Sequence, residues 1–129
     1  MSALYLFWTF GGSGAVSVAG QAMSRDGGLD NDEPRKHVHN LQGLPLRMRS
    51  AHYNLLESFP AFALVAALTQ VLAPKNRVIV NLLGINFIAK LFVFYPCYLL
   101  GFAGPRSLSH LLGTAAVIDA CWRLAAGAA

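Results

Sequence analysis

Four long apolar runs, separated by short polar stretches, constrain this chain more than any other feature. They cover about Ala3 to Met23, Leu46 to Leu72, Val78 to Leu100 and Arg106 to Ala126. A helix needs about 20 mostly apolar residues to cross a bilayer, and each run is close to that length. Hydrophobic residues make up 55% of the chain and charged residues only 12%, whereas a soluble domain carries about a quarter charged residues. The mean hydropathy of +0.47 points the same way. The expected fold is all-α: one integral membrane domain over residues 1–129, built as a bundle of four transmembrane helices.

The net charge of +4 reads as cytoplasmic loops meeting anionic headgroups of the membrane lipids. No basic patch is interleaved with aromatics, so no nucleic-acid partner is expected. Arg25, Arg35, Lys36, Arg47 and Arg49 cluster between the first run and the start of the second, and Arg106 falls on the same side. Only Lys75 and Arg77 stand on the other. The positive-inside rule therefore puts the first and third loops in the cytoplasm and both termini opposite, a multi-pass topology. The N-terminal run lacks a charged region before it and reads as a mature helix, not a cleaved signal.

Several local signals have plain structural readings. Gly11, Ala15 and Ala19 form a small-residue stripe that lets helices approach closely. Gly11-Gly12-Ser13-Gly14 has neither the strand nor the lysine of a phosphate loop. Asp30-Asn31-Asp32-Glu33 lacks the ligand pattern of a calcium loop and reads as a solvated loop. His37 and His39 diverge on a helix, and Cys97 and Cys121 read as small buried hydrophobes, so no metal site is expected. Pro60 should kink the second run. Asn81 and Asn86 should bond across helices. Asp119 and Arg123 share a helix face and should pair. His110 reads as a hydrogen-bonded helix residue.

Glu57 stands apart from these. It sits at the mouth of a long apolar run, where an unpaired carboxylate costs several kcal/mol unless it is wetted or matched. Asn54 lies three residues before it on the same face. The cytoplasmic half of such a bundle gathers Arg47, Arg49, His52, Asn54, Glu57, Lys90, Tyr95, Tyr98 and Arg106. A zwitterionic ligand suits this set: cations take its carboxylates and Glu57 takes its amine. Taken singly, Arg47 and Arg49 are positive-inside anchors, the tyrosines are interfacial belt residues, and Lys90 is a snorkelling cation.

The stretch Arg49-Ser50-Ala51-His52-Tyr53-Asn54-Leu55-Leu56-Glu57-Ser58-Phe59-Pro60-Ala61-Phe62 resembles the signature of the MAPEG family, the membrane-associated proteins in eicosanoid and glutathione metabolism. That signature runs approximately Arg-Ala-x-x-Asn-x-x-Glu-x-Phe-Pro-x-Phe. The upstream Glu33-Pro34-Arg35 and the four-run layout also fit. The resemblance implies a homotrimer of four-helix bundles with glutathione bound between subunits near the cytoplasmic face. It implies glutathione contacts from Asn54, Glu57 and Tyr98; Arg49 and Lys90 stand near positions where the family has arginine and are expected as further contacts. It also implies Arg106 as the arginine that polarises the thiol for attack on a lipophilic electrophile.

Two positions depart from the pattern. Ser50 stands where the family has its arginine, leaving Arg49 rotated by about 100°, and Phe94 stands where a tyrosine is common. Two alternatives stay open, the first because of these departures and the second because small four-helix transporters run close to this length. One is a divergent relative that binds or isomerises another amphipathic ligand without glutathione. The other is a small multidrug transporter using Glu57, although helix one has no acid.

Overall fold

The computed structural model describes residues 1–24 and 41–127. Arg25, the Asp30–Glu33 cluster, Glu33-Pro34-Arg35, Lys36, His37 and His39 lie outside the described residues. Everything regular that is described is helix. Helix α1 covers residues 2–23, as Ser2–Phe7, a wider π turn at Trp8–Gly12, and Ser13–Met23. Helix α2 is Gly43–Leu72. Helix α3 covers Arg77–Leu100, with a π turn at Ala89–Phe94, and α4 is Ala103–Ala125.

Both α2 and α4 begin three residues before the sequence reading has them, and both for one reason. Pro45 and Pro105 read as loop residues, yet each falls in a first helical turn, where backbone N–H groups have no helical acceptor to lose. Pro60 lies inside α2, which continues past it to Leu72. Pro96 follows directly on the π turn of α3. Proline removes one backbone bond and crowds the carbonyl four residues back, and before Pro96 the widened turn takes up both effects.

Caps fix the two described connections. The Asn76 side chain accepts from the backbone N–H groups of Val78 and Ile79 at 3.0 and 3.2 Å, starting α3. Gly101 ends α3 at φ 80°, a left-handed conformation that suits glycine. There the N–H groups of Gly101 and Phe102 donate back to Tyr98 and Cys97. Arg47 Nε adds a bond to the Leu99 carbonyl at 3.0 Å, tying the start of α2 to the end of α3.

Successive helices run antiparallel. Tyr5 packs on Phe59 and Phe62 while Ser13 meets His52, which sets α1 against α2. Asn86 meets Gly113 and Lys90 meets His110, which sets α3 against α4. The core holds Tyr5, Leu55, Phe62, Val65, Ile79, Leu83, Phe87, Val117 and Ala120. The exterior is also apolar. Only 22% of the most apolar stretch of α2 is buried within the chain, and Val71, Phe92, Leu111 and Trp122 are exposed. A soluble core helix would be covered, so α2 and α3, both long and apolar enough to cross a membrane, suit a lipid surround.

Three side-chain expectations change. The stripe Gly11, Ala15 and Ala19 faces outward; the buried face of α1 is Tyr5, Thr9, Ser13, Ser17 and Gly20. Asn81 is exposed beside the Pro74–Arg77 turn, whereas Asn86 does bond across helices. Cys97 is partly exposed and Cys121 exposed, so neither is a buried core residue. Arg123 Nε pairs with Asp119 at 3.1 Å on a half-exposed face, as the spacing suggests.

Candidate functional site

Helices α2, α3 and α4 enclose a half-open cleft of about 280 Å³. Asn54, Glu57, Ser58 and Ala61 form its α2 wall at helical spacing. Asn86 and Lys90, four residues apart, come from α3, and His110 and Thr114, also four apart, come from α4. Val117 and Ile118 close its apolar end.

Glu57 is exposed on this wall and forms no ion pair among the described residues. Ser58 Oγ donates to the Asn54 carbonyl at 2.8 Å and stands 3.5 Å from its Oδ1. Asn86 is 3% exposed; its Nδ2 donates to the Gly113 carbonyl at 2.8 Å, while its Oδ1 has no partner among the described residues. The glycine is what permits this approach. A Cβ at position 113 would come within 3.3 Å of Asn86 Nδ2 and 3.6 Å of Lys90 Cε.

Lys90 is 1% exposed, so it points into the bundle and does not snorkel. Its Nζ lies 2.6 Å from His110 Nδ1 and 4.6 Å from the Phe94 ring centre. Phe94, one of the two departures from the family pattern, is therefore the apolar wall of this cation.

The structure brings Asn54, Glu57 and Lys90 together. Arg106 and Tyr98 form a second group, the guanidinium 4.8 Å above the ring. Phe94 links the groups, stacking on Tyr98 at 5.5 Å and on His110 at 5.7 Å. Arg49 is not among the cleft's lining residues: its guanidinium stacks on Tyr53 at 4.1 Å. Ser50, one helical turn before Asn54, holds the matching position on the cleft stripe. His52 turns to Ser13 at 2.8 Å, Tyr95 is buried against Trp8, and Arg47 is spent on the α3 end.

Sequence reasoning underrated His110, Asn86, Ser58 and Thr114. The spacing of Asn86 with Lys90, and of His110 with Thr114, puts each pair on one face. Nothing in the sequence showed that those two faces meet.

An apolar exterior around a polar cleft defines a small helical membrane protein with an open cleft between its helices. The sequence model of the MAPEG family matches residues 1–126 of the 129-residue chain, and the chain belongs to that family. No curated protein and no solved structure matches it.

Proposed function

We propose that this chain is a glutathione-dependent transferase or peroxidase embedded in a membrane and acting on lipophilic electrophiles. The observation that carries the reading is Glu57: a carboxylate with no ion-pair partner among the described residues, facing a cleft that also holds a buried cation. Glutathione has one amine, two carboxylates and a thiol. Glu57 and Asn54 suit the amine end, and Lys90 suits a carboxylate. Arg106, held at the Tyr98 ring, suits the sulfur, because a nearby guanidinium favours thiolate over thiol.

The reaction then needs little else from the protein. The thiol proton leaves to solvent, the sulfur bonds to the electrophilic atom, and a leaving group or π pair departs. The electrophile arrives from lipid, past the exposed apolar residues of α3 and α4. A multi-pass topology with the cleft near the cytoplasmic face belongs to the reading, as does a homotrimer in which a neighbour covers the open side.

One observation favours the thiol-free alternative: Arg49 stacks on Tyr53 and leaves the α2 stripe without an arginine. Turnover separates the two. The purified protein in detergent should conjugate chlorodinitrobenzene or reduce a lipid hydroperoxide with glutathione. Absence of binding and turnover at millimolar thiol would overturn the proposal.

A further inference from the structure

The pair Lys90 and His110 does more than a ligand clamp requires. Lys90 is buried, yet no carboxylate pairs with it among the described residues. Its one close polar partner is His110 Nδ1. An ammonium has donors and no lone pair, so Nδ1 must accept, and the proton of the neutral ring sits on Nε2. Two protonated nitrogens cannot face each other at 2.6 Å, so one proton lies between them, and with Lys90 as the ammonium the pair carries one positive charge. Nε2 is on the opposite edge of the ring and has no partner among the described residues, while His110 lines the cleft. The Phe94 ring touches both members and offers no competing acceptor.

We propose that Lys90 and His110 form a proton relay, which makes His110 a general acid for electrophiles that become strongly basic as they react. The class is α,β-unsaturated ketones and organic hydroperoxides, as opposed to aryl and alkyl halides. This rests on the reading of glutathione as the nucleophile. With an enone, the thiolate sulfur bonds to the β-carbon and the C=C pair moves onto the carbonyl as an enolate. His110 Nε2 gives its proton to the enolate, and Lys90 Nζ passes one to Nδ1. The imidazole stays neutral with its tautomer exchanged, and the pair falls from one positive charge to none. The thiolate's negative charge is cancelled by the same transfer. The proton the thiol released to solvent then restores Lys90. With a hydroperoxide, the sulfur bonds to the outer oxygen, the O–O bond breaks, and the alkoxide takes the proton. A chloride leaving group needs none, so the relay is idle there.

The test compares two glutathione acceptors in detergent, chlorodinitrobenzene and 4-phenylbut-3-en-2-one. His110 touches the reacting atoms, and Lys90 acts through it. Replacing His110→Gln should lower kcat for the enone by about 100-fold or more, the usual worth of a general acid, and for the chloroarene by less than about tenfold. Lys90→Arg keeps the cation but cannot release its proton. Because Lys90 also suits a glutathione carboxylate, the readout is the enone-to-chloroarene kcat ratio at saturating glutathione: it should fall as in His110→Gln, whereas a merely structural cation would leave it unchanged. Equal losses on both acceptors in His110→Gln, or an unchanged ratio in Lys90→Arg, overturn the relay. Should Lys90→Arg lose both activities through misfolding, the His110→Gln ratio decides alone. If the unaltered protein turns over neither acceptor, the glutathione reading fails first and takes the relay with it.

Discussion

Replacing Asn86→Leu separates what the cleft needs from what the bundle needs. Asn86 makes one cross-helix bond, from Nδ2 to the Gly113 carbonyl at 2.8 Å, and leaves Oδ1 buried and unpartnered. Such bonds between membrane helices average about 0.6 kcal/mol and reach about 1.7. A buried acceptor left unmade costs about 1–3 kcal/mol. The Gly113 carbonyl keeps its own helical bond when the amide is lost, so no new orphan appears. Leucine has the same branching but bulkier ends, and a methyl in the place of Nδ2 would lie 2.8 Å from the Gly113 carbonyl oxygen, so overpacking costs about 1–3 kcal/mol. Set against the relief of the orphan acceptor, the lost bond and the overpacking leave a net loss of about 1 kcal/mol. Asn86 lines the cleft and Oδ1 is its spare acceptor, so removing it should weaken glutathione by about 1 kcal/mol, roughly fivefold. Unfolding by sodium dodecyl sulfate in mixed micelles measures the first effect, and equilibrium dialysis the second. Marked destabilisation with unchanged affinity would refute the reasoning, because Asn86 would then be glue between helices and nothing more.

Three further outcomes follow from the geometry. Arg106→Ala should lower kcat by about 100-fold, a typical loss for a donor to developing charge, with less than a threefold change in glutathione Kd; a rate equal to that of the unaltered protein removes its thiol role. Tyr5→Phe should stabilise the bundle by about 1 kcal/mol, because its hydroxyl is fully buried without a partner, and a fall in the unfolding midpoint contradicts this. Arg47→Met should destabilise by about 1 kcal/mol through loss of the bond to Leu99, read in the same micelle titration; an unchanged midpoint would show that α2 needs no tie to the end of α3.

The helices were legible because hydrocarbon-length runs are a strong and simple signal, and boundaries moved by more than one residue only where proline sat in a first turn. The cleft was half legible. Asn54 and Glu57 share a face by spacing, so their joint placement needed no tertiary knowledge. Arg49 was harder. Its distance along the chain from Asn54 says that it is rotated, but not that Tyr53 would hold it there. Lys90 and His110 are 20 residues apart, and only the antiparallel packing of α3 on α4 joins them. The outward turn of Gly11, Ala15 and Ala19 has the same origin. A small-residue stripe shows that something approaches closely, and the register of α1 on α2 decides that it is not α2.

The most direct measurement compares glutathione binding to the unaltered protein and to Glu57→Gln in one detergent. Glu57 has no ion pair to lose among the described residues, so melting without ligand should be the same for both proteins. The unaltered protein should bind saturably, and the variant should bind about 10- to 100-fold more weakly, the worth of a charged hydrogen bond at about 1.5–3 kcal/mol. Equal dissociation constants, or no saturable binding to either protein, would contradict the account.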